Sequence, residues 1–104
     1  MGDWVPDAVR ALVEACDPRE IVLFGSVARG DAGPGSDIDL LVVIDDAADW
    51  ASAGKAAISA VARLVPDVDV IVATHGQVEA NRERPGTVIR PALREGRVVY
   101  ARAA

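Results

Sequence analysis

Two carboxylates stand at the start of the most apolar stretch of the sequence. Asp37 and Asp39 are separated by one residue, and residues 40–44 are uniformly apolar. Because side chains alternate between the two faces of a strand, both carboxylates would point from the same face. Neighbouring like charges repel, so this pairing is unfavourable unless a cation lies between them. Hard oxygen ligands in a sparse cluster suit Mg²⁺, which completes its shell with water and substrate phosphates.

A third carboxylate from the next apolar stretch could join this pair. Asp67 and Asp69 both precede the run that ends at residue 73. If the two strands are neighbours, one of these side chains lies beside Asp37 and Asp39. We favour Asp69, because an apolar run follows it immediately, as one follows Asp39, and we expect Asp67 to be solvated.

Gly25 and Ser26 form a candidate phosphate site upstream of the carboxylates. They follow the apolar run of residues 21–24 and open a segment that could form a short helix, 26–29. Glycine permits close approach of the backbone, and free N–H groups with a serine hydroxyl can hold phosphate oxygens. A phosphate cradle combined with metal-binding carboxylates indicates phosphoryl or nucleotidyl transfer.

The elements that must position these residues alternate between helix and strand. This order predicts an α/β or α+β fold, with a small sheet flanked by helices. The predicted helices span residues 5–16, 48–65, 77–84 and 87–94, and the predicted strands span residues 21–24, 36–44, 68–73 and 97–101. Pro91 weakens the prediction of the last helix. The helix 48–65 carries an apolar stripe that we expect to be buried, with Trp50 as its anchor; its members are Trp50, Ala57, Ile58, Val61 and Leu64.

These residues resemble a known family. The segments 25–30 (GSVARG) and 36–40 (SDIDL), with residues 27–36 between Ser26 and Asp37, are similar to the signature of the minimal nucleotidyltransferases of the DNA polymerase beta superfamily. The resemblance covers most of the chain, since it extends through Asp69 to the ending at 93–100 (LREGRVVY). The motif is complete, which gives no sign of an inactive member.

The resemblance implies a mixed sheet flanked by helices and a catalytic set of three carboxylates. Asp37 and Asp39 would hold two Mg²⁺ ions on the triphosphate of ATP. Asp69 would hold the second ion and help to deprotonate an acceptor hydroxyl, which attacks the α-phosphate in line as pyrophosphate leaves.

The same resemblance implies that the nucleoside triphosphate is gripped at Gly25 and Ser26. Arg29 and Ser36 are further candidates for nucleotide binding. A structural ion pair for Arg29 and a loop cap for Ser36 remain open alternatives.

Composition narrows the class of protein. The chain has 104 residues, 51% of them hydrophobic and 26% charged, which predicts a single globular domain and excludes a disordered chain. Its net charge of −5 disfavours autonomous binding to nucleic acid. One cysteine cannot form an internal disulfide, and neither a signal peptide nor a membrane-spanning run is visible, so we expect a cytoplasmic location.

Members of this size resemble the antitoxins of bacterial two-gene modules, whose partner is a HEPN-domain protein, often a ribonuclease toxin. We therefore expect transfer of AMP from ATP to a tyrosine hydroxyl of the partner. The short chain, which leaves nothing to build an acceptor pocket, also favours an acceptor on another protein. Two alternatives remain: a transferase that modifies a small molecule or nucleic acid together with a helical subunit, and an antitoxin that binds nucleotide but blocks its partner only sterically.

Overall fold

Apolar runs build a four-stranded sheet. The structure is a computed structural model that describes residues 4–25, 38–64, 68–86 and 89–103. In it the strands are β1 (Glu20–Gly25), β2 (Ile38–Ile44), β3 (Val68–Thr74) and β4 (Arg97–Ala101). Their order across the sheet is β3-β2-β1-β4. β2 and β3 run parallel, whereas β1 is antiparallel to both β2 and β4, so the predicted mixed sheet is confirmed.

Within the described ranges, four helices cover the two faces of this sheet. They are α1 (Val5–Cys16), α2 (Trp50–Ala62), α3 (His75–Asn81) and α4 (Ile89–Glu95). α1 and α2 pack on one face, whose buried residues are Leu12, Ile21, Leu23, Leu40, Val42, Ile44, Ala57 and Val61. α3 and α4 pack on the other face, over Val22, Phe24, Leu41, Val43, Ala73, Val78, Ile89 and Ala92. The central strand β2 therefore contributes apolar side chains to both cores, which explains its uniformly apolar sequence.

The ends of the helices follow local sequence signals. α1 stops at Asp17, which adopts a left-handed conformation (φ 46°) and donates its N–H to Val13 O. α2 begins after Asp49, whose carboxylate accepts from Ser52 N. This hydrogen bonding to Ser52 lowers the pKa of Asp49. The cap at Asp49 makes α2 begin later than the predicted helix 48–65, and α2 also ends earlier, at Ala62.

The two short helices on the second face differ from their predicted bounds. α3 begins at His75, two residues earlier than predicted, because Thr74 and Gln77 form a capping box. It ends at Asn81 rather than Arg84. α4 contains Pro91 in its first turn, where a missing N–H is tolerated.

The apolar stripe of α2 is only partly buried. Ala57 and Val61 are fully buried against the sheet. Trp50, however, is 53% exposed and Ile58 is 54% exposed, so the prediction that Trp50 anchors the helix in the core was wrong. Leu64, which was predicted at the end of this helix, is also exposed. The reason is positional: α2 lies along the outer strand β3, and one side of its stripe extends beyond the edge of the sheet.

Three charged side chains form a cluster at the end of β2. Arg102 and Arg19 both contact the carboxylate of Asp45, which follows β2, at N–O distances of 2.8 and 3.2 Å. The hydrogen bond from Arg102, with a further one from Arg19, holds the pKa of Asp45 below its usual value. This cluster lies at the end of β2 opposite to Asp39.

Candidate active site

The sheet register brings two of the predicted carboxylates together. Strand β3 lies directly beside β2, and their parallel register pairs Asp39 with Asp69. Paired residues of neighbouring strands have Cα atoms about 5 Å apart. Their chain neighbours Leu40 and Val70 both belong to the core on the α1–α2 face, so Asp39 and Asp69 share the opposite face. Asp69 could join the carboxylates of β2 only if the two strands were neighbours, and the structure meets this condition.

The glycine of the predicted phosphate site reaches the same end of the sheet. In the antiparallel pairing of β1 with β2, Phe24 lies opposite Asp39 and Gly25 lies opposite Ile38. Gly25 is the last residue of β1, so the chain leaves the sheet one position away from the carboxylate pair. Three strands thus contribute Gly25, Asp39 and Asp69 to one end of the sheet.

The other predicted site residues lie outside the described parts of the chain. These are Ser26, Arg29, Ser36 and Asp37, together with Asp67, the alternative to Asp69, and the short helix predicted over residues 26–29. Their predicted roles in nucleotide and metal binding remain predictions.

The chemistry of the pair fits a divalent cation. Asp39 is half-buried beside the core, whereas Asp69 is exposed. The fold therefore holds Asp39 in place, and the pair is open to solvent at Asp69. In the described ranges no group of three or more histidine, cysteine or acidic residues is clustered for a metal, and the pair supplies two oxygen ligands. Mg²⁺ needs only one or two protein carboxylates when substrate phosphates complete its shell. The pair therefore suits a metal that arrives with a triphosphate.

A separate cavity occupies the opposite end of the sheet. It has a volume of about 530 Å³, and its polar lining residues are Arg19, Glu20, His75, Glu79, Arg82 and Arg102. Arg82 is paired with Glu79 at 2.7 Å, and Arg102 is paired with Asp45. No site is predicted here from the sequence. Its arginines are already neutralised by carboxylates, which distinguishes this cavity from the carboxylate end.

Comparison with known proteins decides the family. The model of the nucleotidyltransferase domain family matches residues 3–99 of this chain. The chain belongs to the nucleotidyltransferase domain family. None of the curated proteins is significantly similar to it in sequence.

Among solved structures, this nucleotidyltransferase domain matches a protein from Sulfolobus solfataricus that is provisionally assigned as a nucleotidyltransferase. The TM-score is 0.63 and the sequence identity is 24%, over 98% of this chain and 81% of the other. At this identity the match shows the shared fold.

Membership of the family assigns the general activity, transfer of a nucleotidyl group. The roles of Gly25, Asp39 and Asp69 in that activity remain predictions. No helix in the described part of this domain is long and apolar enough to cross a membrane.

Proposed function

We propose that this chain is the antitoxin of a HEPN-type toxin–antitoxin pair, and that it transfers AMP from ATP to a tyrosine hydroxyl of the partner toxin. One observation carries the proposal: the register pairs Asp39 with Asp69 on one face, at the end of the sheet where Gly25 ends β1. Such an arrangement supports the proposal, because it would supply one carboxylate for a metal, a second for the acceptor hydroxyl, and a close backbone approach for phosphates.

Each carboxylate has a distinct role in this mechanism. Asp39, together with Asp37, would hold two Mg²⁺ ions, which when bound neutralise charge on the triphosphate. Asp69 would help to hold the second ion, and it would orient the acceptor hydroxyl and help to remove its proton. The hydroxyl oxygen then forms a bond to the α-phosphorus, the bond to the bridging oxygen breaks, and pyrophosphate leaves. Gly25 and Ser26 hold the phosphates through backbone and hydroxyl groups, with Arg29 and Ser36 as further candidates.

The open position of Asp69 favours a macromolecular acceptor. Its side chain is exposed at the end of the outer strand β3, where a large surface can reach it. The net charge of −5 suits docking against a basic, RNA-binding toxin. An added nucleotide would place phosphate charge and bulk where the toxin binds its RNA backbone. ATP, Mg²⁺ and RNA are all available in the cytoplasm, the expected location.

Intact mass spectrometry of the partner tests the proposal. The HEPN-domain partner is co-expressed with the wild type, with the Asp39→Asn/Asp69→Asn double variant, or with Glu14→Gln, which removes an exposed carboxylate on α1, far from the site in the fold. We expect one or more AMP additions, mapped to a tyrosine, with the wild type and Glu14→Gln only.

Other outcomes assign the alternatives. An unmodified partner that the double variant still fully inhibits would overturn the proposal and favour steric inhibition. Label from ATP found on a small molecule or nucleic acid instead would favour the transferase that works with a helical subunit.

A further inference from the structure

An apolar groove runs between α2 and the outer strand β3. It has a volume of about 480 Å³, and its floor and wall include Trp50, Gly54, Lys55, Ile58, Val70 and Val72. Trp50 and Ile58 are large apolar side chains that are more than half exposed, at 53% and 54%. Exposed apolar side chains that converge on one groove are a common mark of an interaction site.

The shape of the groove favours a helix over an added strand. β3 is an edge of the sheet, but the indole Nε1 of Trp50 donates to Val72 O at 2.8 Å, so this outward carbonyl already has a partner. An incoming strand would lose that hydrogen bond. Trp50, Gly54 and Ile58 follow one another at intervals of four residues, forming a row about 12 Å long at 1.5 Å per residue. Such a row matches about two turns of a second helix.

Gly54 leaves a notch at the centre of this row. A Cβ atom built at Gly54 would meet no atom within 4 Å, so the space above it is open. A glycine in the middle of a helix is unfavourable by about 1 kcal/mol relative to alanine. Close approach of another helix gives a physical reason for glycine at this position.

The positive charge of Lys55 in the groove indicates that the occupant carries a carboxylate. Lys55 is the single lysine of the sequence, and it makes no ion pair within the described ranges. Docking an apolar surface around Lys55 would desolvate its ammonium group, which is unfavourable without a carboxylate partner. A second copy of this chain would bring another net charge of −5, and the two copies would repel each other.

We propose that the groove binds an amphipathic helix of the acceptor protein, whose apolar stripe packs on Trp50, Gly54 and Ile58 and whose carboxylate pairs with Lys55. This inference rests on the proposed function, since it concerns the acceptor of that reaction. Val70 in the groove directly follows Asp69 in β3, and adjacent Cα atoms are about 3.8 Å apart. Asp69 points from the opposite face of the same edge strand, so a protein held in the groove reaches that carboxylate by extending its acceptor hydroxyl around the edge of β3.

Binding without ATP isolates this docking step from catalysis. The affinity of the purified, unmodified acceptor protein is measured by calorimetry for the wild type, Gly54→Gln and Ile58→Gln. We expect each variant to weaken binding about tenfold or more, because each changes the centre of the contact. Gly54→Gln should unfold at the same temperature as the wild type or higher, because its side chain enters open space. The control is Val98→Gln on β4, at the other edge, since Val98 is also 54% exposed; it should change the affinity less than about twofold.

Charge variants and transfer assays complete the test. Lys55→Glu should weaken binding to the acceptor protein, whereas Lys55→Arg should retain it; the affinity for Mg²⁺–ATP should stay unchanged in every groove variant. Wild-type affinity of Gly54→Gln and Ile58→Gln for the acceptor protein would overturn the groove assignment. So would a wild-type chain that dimerises through Ile58 in sedimentation experiments. Binding that depends on the groove, without any AMP transfer, would overturn the proposed function and leave the docking site standing.

Discussion

The pairing of Asp39 with Asp69 predicts that the protein without metal is destabilised by its own site. The two residues are register partners on neighbouring parallel strands, so their Cα atoms lie about 5 Å apart, and side chains that leave the same face of the sheet in parallel keep their charges at a similar separation. Coulomb's law gives a repulsion of about 0.8 kcal/mol at that distance in water and about 3 kcal/mol at an effective dielectric constant of 20. Asp69 is exposed, so the value near the aqueous limit applies, and salt reduces it further. We therefore expect Asp69→Asn to raise the free energy of unfolding without metal by about 0.5–1 kcal/mol.

Thermal unfolding with and without Mg²⁺ measures this effect. A gain of this size raises the Tm of a domain this small by about 2–8 °C. Mg²⁺ should raise the Tm of the wild type, because it binds the folded state, and should raise that of Asp69→Asn less. Glu14→Gln removes an exposed carboxylate of α1 and serves as the matched control, with the Mg²⁺ response of the wild type. If Asp69→Asn lowered the metal-free Tm and kept the full response to Mg²⁺, Asp69 would be a structural residue and the metal assignment would be refuted.

Three further predictions concern the fold that carries the site. Asp45→Asn should lower the free energy of unfolding at pH 7, because Arg102 stabilises the ionised carboxyl and lowers its pKa. The difference in the free energy of unfolding between wild type and variant should shrink as the pH falls below about 3.9. The wild-type carboxyl is then protonated in the unfolded state, and at still lower pH in the folded state as well. A difference that stays the same at every pH in urea titrations would contradict this prediction. Thr74→Ala should lower the free energy of unfolding by about 1 kcal/mol in the same titrations, since it removes the cap of α3, and an unchanged value would refute the capping role. Gly96→Ala should be destabilising by about 1–3 kcal/mol in thermal unfolding, because its Cβ would lie 2.5 Å from Val22 Cγ1; a Tm equal to that of the wild type would show that the close approach is absent.

The sequence predicted the elements more fully than their arrangement. The apolar run of β2 and the bounds of α1 were predicted from residue types alone. The capping box of Thr74 and Gln77 was also readable, but the early start of α3 was missed. The exposure of Trp50 and Ile58 could not be derived in the same way. It depends on β3 being the outer strand, which is a property of strand order and not of helical periodicity.

For the candidate site, too, the sequence predicted the residues but not their arrangement in space. Spacing along the chain singled out Gly25, Asp39 and Asp69, because each residue type matches a chemical task. Their proximity depends on the register between β2 and β3 and on the ending of β1, which local sequence does not encode. The choice of Asp69 over Asp67 rested on the apolar run that follows it, and the register is compatible with that choice. The groove along α2 left no signal in the sequence, since its residues were interpreted as core.

The fate of the individual phosphates of ATP tests the central claim most directly. The chain, Mg²⁺ and the acceptor protein are incubated with ATP that carries a radioactive label on either the α- or the γ-phosphate. Nucleotidyl transfer at Asp39 and Asp69 predicts that the α-label becomes attached to the acceptor protein, that the γ-label leaves as pyrophosphate, and that the Asp39→Asn/Asp69→Asn variant transfers neither. Attachment of the γ-label, or transfer of the α-label that survives in the double variant, would contradict the account.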